Sequence, residues 1–196
     1  MTSTAINGHA ARTQRTRKAI IDALVELLSE GTPNPSATEI AARAGISKRS
    51  IFVHYATLDD LYQEVAARAT EMVLAIVAVI DPDAPFDRRV AELCRQRSKV
   101  HEAIGPLRRA ATARAHTSKV IASSQQFSQR SSRDQITRVF AKELARYRQR
   151  ARQRAVASVD AVLAGTTWDL WRGFYGFDEK DARLAMQRAV TALLTR

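Results

Sequence analysis

Apolar residues recur with a helical period along most of this chain. From Arg12 to Glu30, Ile20, Leu24, Leu27 and Leu28 fall at i, i+4, i+7 and i+8, one face of a first helix, and Gly31 follows where a helix stops. The preceding residues 1–11 are small, polar and aperiodic, the pattern of a frayed terminus. After the breakers Thr32-Pro33-Asn34-Pro35, Ser36 and Glu39 stand in S-x-x-E spacing, a capping box that predicts a short second helix over 37–44. Gly45 can take the left-handed conformation of a sharp turn, and Ser47 can cap a third helix over 48–55 at once. Thr57 and Asp60 predict the start of a fourth helix that runs to Ile80. Its polar first half gives way to the apolar run 72–80, as if it left one module for the core of another.

Asp81-Pro82-Asp83-Ala84-Pro85 ends that helix, and a basic helix is predicted over 86–103, broken by Gly105-Pro106. A short helix near 107–115, a polar helical stretch at 117–134, a long helix over 135–173 that is open to interruption, and a last helix over 178–195 capped by Asp178 and Asp181 complete the pattern. The expectation is an all-α chain divided into residues 1–58 and 59–196. Composition agrees: 34 alanines against 7 Gly and 5 Pro favour helices, and 45% apolar with 26% charged residues is ordinary for a globular chain. Cys94 is the single cysteine, so an internal disulfide or a multi-cysteine zinc site is excluded. The first 18 residues carry four basic side chains and no apolar stretch, unlike a signal peptide, and the longest apolar run, Met72–Ile80, is nine residues against the roughly 20 a membrane span needs. A soluble, cytoplasmic chain without a membrane partner is expected.

Thirty-one Lys+Arg against 20 Asp+Glu give a net charge of +11, which suits a polyanionic partner. The helices at 37–44 and 48–55, joined by a glycine turn and flanked by further helices, have the layout of a helix-turn-helix, whose second helix enters the DNA major groove. Ile51 and Tyr55, at i and i+4, face inward toward Ile40, Ala44 and Leu24; the opposite flank carries Arg49, Ser50, Val53 and His54, side chains able to read base edges.

The segment Thr38 to Tyr55, TEIAARAGISKRSIFVHY, resembles the DNA-binding signature of the tetracycline-repressor (TetR) type of transcriptional regulator, in order and spacing, over about 50 residues from the first helix to Leu61. The resemblance implies that Thr38 and Ser47 lie at helix N-termini near phosphates, that Lys48, Arg49, Ser50 and Phe52 face the groove, and that His54 and Tyr55 contact or buttress the backbone. One departure is Leu58, where members commonly carry a lysine that anchors a phosphate. Arg12, Arg15, Arg17 and Lys18 on the N-terminal arm are candidates to replace it.

One helix-turn-helix reads few base pairs, so a homodimer on a palindromic double-stranded operator is expected. Val156, Val159, Leu163 and Leu170 stripe one C-terminal helix and Met186, Ala189, Val190 and Leu193, with Ala182, stripe the next; two such pairs make a four-helix bundle. The resemblance further implies a small-molecule effector pocket among the middle helices, with Cys94, His101, Phe127, Trp168 and Trp171 as candidate lining residues, and no other cofactor or metal. The five arginines 146, 148, 150, 152 and 154 read as a solvated surface, with an anionic effector as the other possibility. An enzyme is not expected, since His9, His54, His101 and His116 have no metal-binding spacing and no nucleophile or phosphate-loop motif occurs. A sequence-indifferent architectural DNA binder and an activator of the same family stay open as alternatives.

Overall fold

The computed structural model describes residues 3–32, 34–116 and 118–195, and their side chains except those of 3–9 and 120. The regular structure of these residues is helical: α1 (Ser3–Ser29), α2 (Ala37–Ala44), α3 (Lys48–His54), α4 (Leu58–Ile76), α5 (Phe86–Arg114), α6 (Lys119–Val139), α7 (Ala141–Leu144), α8 (Gln149–Val162), α9 (Gly165–Asp169), a π-helical turn (Leu170–Phe174) and α10 (Glu179–Thr195). The all-α expectation holds. The chain packs as two compact units, Met1–Glu71 with Pro106–Gln125, and Met72–Gly105 with Gln126–Arg196.

The first unit is built on the apolar face of α1. Ile20, Leu24, Leu27 and Leu28 close over Ile40, Ile51, Tyr55, Leu61, Tyr62 and Val65, and over Leu107, Ala110 and Ile121. Each large aliphatic side chain buried here stabilises the unit by roughly 1.5–3 kcal/mol. The packing boundary therefore falls after α4 has begun rather than at residue 58, because the first turns of α4 and the segment around Leu107 complete this core. Helix α1 starts at Ser3, so the terminus expected to fray is helical from there; Ala5, Ala10 and Ala11 support it. Met1, Thr2 and Pro33 of the breaker cluster lie outside the described residues. Arg114 ties the end of α5 to this unit. It donates to Asn34 Oδ1 (2.5 Å) and Asp59 (2.9 Å) and lies 4.1 Å from the centre of the Tyr62 ring.

Two further expectations change. Helix α4 ends at Ile76, and the β-branched stretch to Ile80 leads irregularly into Asp81-Pro82, where proline disfavours helical backbone before it. Of the run 72–80 only Ile80 joins a core, while Leu74 and Val79 are 70% and 96% exposed. Helix α5 runs through Gly105 and Pro106 without a break, since a proline removes one rung of the hydrogen-bond ladder and flanking turns can hold the rest.

In the second unit, Leu93, Cys94, Ile136, Val139, Phe140, Leu144, Val159, Leu163, Trp168, Met186, Val190 and Leu194 form the core. Arg89 is buried within it. It forks onto Glu143 (2.6 and 2.9 Å), donates to the Val139 carbonyl, and lies 5.7 Å from both the Phe86 and Phe140 rings. The long helix anticipated over 135–173 is interrupted at Phe140, at 145–148 and at Leu163–Ala164. Asp178 caps α10 as expected, accepting from the Asp181 N–H at 2.7 Å. Of the five clustered arginines, Arg146 reaches the Leu194 carbonyl and Tyr147, and Arg148, Arg150 and Arg154 are exposed, as a solvated surface requires.

Candidate nucleic-acid interface

The turn between α2 and α3 follows from three residues. Ser36 and Glu39 cap α2 reciprocally: the Ser36 Oγ accepts from the Glu39 N–H (3.3 Å), and Glu39 accepts from the Ser36 N–H (2.8 Å) and hydroxyl (2.7 Å). Gly45 ends it at φ 67°, ψ 31°, the left-handed region that glycine enters without penalty, and its N–H returns to Ala42. Ser47 is extended and accepts the Ser50 N–H at 3.1 Å, so α3 begins at Lys48, three residues after the glycine.

This start fixes what α3 presents. Ile51 is wholly buried and Tyr55, at its C-terminus, is 3% exposed, while Lys48 and Arg49 are exposed and Phe52 and Val53 are 45% and 72% exposed. A cation pair, an aromatic and a methyl-bearing side chain thus lie on one free flank. Thr38 is exposed in the first turn of α2, and Arg15 is exposed on α1. Ser50 is part-buried with its hydroxyl 2.9 Å from that of Ser47, so it serves the cap.

Arg17 does not project from the arm as anticipated. It donates to the His54 carbonyl (3.1 Å), pairs with Glu64 on α4, and lies 4.6 Å from the centre of the Tyr55 ring. Burial pushes the Tyr55 phenol above its ordinary range. Tyr55 is therefore a buttress beneath α3 and has no surface to offer a duplex. Lys18 is held by Asp22 at 2.6 Å, whereas Arg12 and Arg15 are exposed cations of the arm without an ion pair among the described residues. Leu58, in the place of the usual lysine, packs part-buried against the core.

Residues 20–65 match the family model described as bacterial regulatory proteins, tetR family. These residues form a tetR-family domain. Among solved structures, the chain is similar to a transcriptional regulator from Rhodococcus sp. Rha1 (18% identity, TM-score 0.70, covering 93% of this chain and 96% of that one). It is also similar to a tetR-family transcriptional regulator from Streptomyces coelicolor (18% identity, TM-score 0.71, 92% and 80%). A third, the multidrug binding protein EbrR solved with imidazole, matches at 22% identity and TM-score 0.58, covering 88% of each chain. At these identities the likeness is one of fold. No curated protein matches the sequence.

In the second unit, Cys94, His101 and Trp168 are buried. Burial pushes the Cys94 thiol up to about 12. The His101 Nε2 lies 2.9 Å from the Leu163 carbonyl, its ring is 5.9 Å from that of Trp168, and the Trp168 indole donates to Glu102 at 2.9 Å. His101 and Trp168 are thus brought together, while Cys94 stands two turns away on α5. Trp171 is part-buried beside the same core, but Phe127 is 69% exposed and lines no interior site, because the polar face of α6 carries it. Arg97, which pattern reading passed over, lies on α5 one turn from Cys94 and one from His101; a cation at i, i+3, i+7 with two titratable residues was the available signal.

The C-terminal stripes divide. Val159, Leu163, Met186 and Val190 are buried within the chain's own core, where they hold α8 against α10, and so are closed to a second copy. Val156, Ala189 and Leu193 keep part of their surface and Leu170 is 46% exposed; Leu184, Phe174 and Tyr175 are also exposed. Among the described residues no helix is long and apolar enough to cross a membrane and no cluster of His, Cys, Asp or Glu could hold a metal ion.

Proposed function

We propose that this regulator is a ligand-responsive repressor that binds a palindromic operator as a homodimer and leaves it when a small molecule occupies the helical second module. In this reading residues 1–58 bind DNA and 59–196 bind the effector and the partner copy. The observation that carries it is the free flank of α3, where Lys48, Arg49, Phe52 and Val53 stay exposed while Ile51 and Tyr55 anchor the opposite side. Arg49 would read a guanine edge, Lys48 and Phe52 would flank it, and Thr38, Ser47 and the exposed Arg15 would meet phosphates at helix ends and on the arm. Ser50 and His54 position that helix, and Tyr55 supports it from below.

Occupancy releases DNA only if effector and operator favour different dimer geometries, which is the condition for coupling between the two sites. The test is selection of genomic fragments by the purified protein, followed by variants on the selected fragment. Arg49→Ala should lose about 1–3 kcal/mol on the selected fragment and much less on random DNA. Arg15→Ala should weaken both alike and flatten the salt dependence. Failure to select any discrete fragment would favour a sequence-indifferent binder instead.

A further inference from the structure

Arg97 is a buried-facing cation of the second unit whose hydrogen-bond partner is neutral. Its Nη2 donates to the Gln135 side-chain oxygen at 2.8 Å, and its Nε is withdrawn from solvent with no acceptor. Gln135 itself is held by Gln96 (3.4 Å), whose amide donates to the Ala78 carbonyl (3.1 Å), so the neighbourhood consists of fixed neutral dipoles. Asp160 on α8 is the carboxylate whose charge Arg97 feels, but it accepts from Ser132 at 2.7 Å and forms no ion pair with the guanidinium. Burial disfavours the cation here. Arg89, eight residues nearer the chain start on the same helix, shows the contrasting arrangement, a buried guanidinium forked onto Glu143.

A desolvated guanidinium without a counterion is costly to keep, and a stretch of chain under selection for stability alone would favour an apolar side chain of similar volume. The side chain retains partial access to solvent, and the His101–Trp168 ring pair lies one turn further along α5. We infer that Arg97 is the anchor of a ligand site that takes a small organic carboxylate, the acid group forking onto its free donors and the apolar remainder lying toward His101 and Trp168. This rests on the reading of the second module as the effector-binding one. Guanidinium suits the role because its planar donors match both oxygens of a carboxylate and it stays charged at any working pH.

Calorimetric titration of the full chain with benzoate and hexanoate, each paired with its neutral amide, decides the matter. Wild type should bind at least one of the acids tenfold or more tighter than its amide; Arg97→Met should abolish that preference, and Arg97→Lys should keep a reduced one. The melting temperature of unliganded Arg97→Met should equal or exceed that of wild type. Equal binding of acid and amide, no binding of any probe, a preference that survives Arg97→Met, or a clear drop in melting temperature would each overturn the proposal. Release of the selected DNA fragment is scored separately. Acids that bind through Arg97 without releasing DNA leave this site standing and count against the repressor reading; neutral compounds that release DNA while acids do not bind do the reverse.

Discussion

Arg15 and Arg17 stand two positions apart on α1 and do opposite work. Arg15 is exposed, whereas Arg17 turns inward to the His54 carbonyl, Glu64 and the Tyr55 ring. Arg17→Ala should cost about 1–3 kcal/mol of unfolding free energy in urea, because it strands a carbonyl and uncovers a ring, while Arg15→Ala should stay within about 0.5 kcal/mol. The two were not separable in the sequence, since Arg17 owes its role to partners 37 and 47 positions away. The flank of α3 was legible, because Ile51 and Tyr55 sit four apart and a helical period sends both to one side. Cys94 gives a second outcome at this scale. With its thiol pushed up to about 12, it is almost wholly protonated at pH 8 and should react with a thiol reagent only upon unfolding, which a comparison of labelling with and without urea measures.

Among the elements, caps and turns were the most readable, because their causes lie within three residues of one another. Gly45→Ala should destabilise the first unit by about 1–2 kcal/mol, seen as a lower melting temperature, because nothing crowds the added methyl and the cost is that of a left-handed alanine. Ends decided by tertiary packing were less readable: α4 stops at Ile76 and α5 continues past Pro106, against local signals in both cases. Arg89 and Glu143, 54 positions apart, join α5 to α7 in a way that no local pattern announces. Arg89→Ala should cost about 3–5 kcal/mol at neutral pH, since it leaves Glu143 without its partner in a nearly closed site. The Arg89 hydrogen bonds hold the Glu143 carboxyl below its ordinary 4.5, so the pair's contribution is complete above that value and is lost as pH falls through the lower, folded one. Unfolding curves of variant and wild type should therefore converge in acid.

For the whole molecule, the apolar stripes of the C-terminal helices were visible in the sequence but their allegiance was not. The same period serves packing within a chain and packing between chains, and the more central residues of both stripes are used within. What stays available is Leu170, Leu184 and the part-exposed Val156, Ala189 and Leu193. A charge placed there, Leu170→Asp or Leu184→Asp, should weaken self-association at least tenfold, about 1.4 kcal/mol, in sedimentation equilibrium without lowering the melting temperature of the monomer. A fall in that temperature instead would place these side chains in intrachain packing.

The unbroken course of α5 carries a last consequence. Pro106 has no amide hydrogen, so the Glu102 carbonyl lacks its usual donor four residues on, and this gap coincides with the Gly105–Pro106 division between the two units. Deuterium uptake should accordingly treat the residues of α5 before and after that division as two cooperative segments, each exchanging with its own unit.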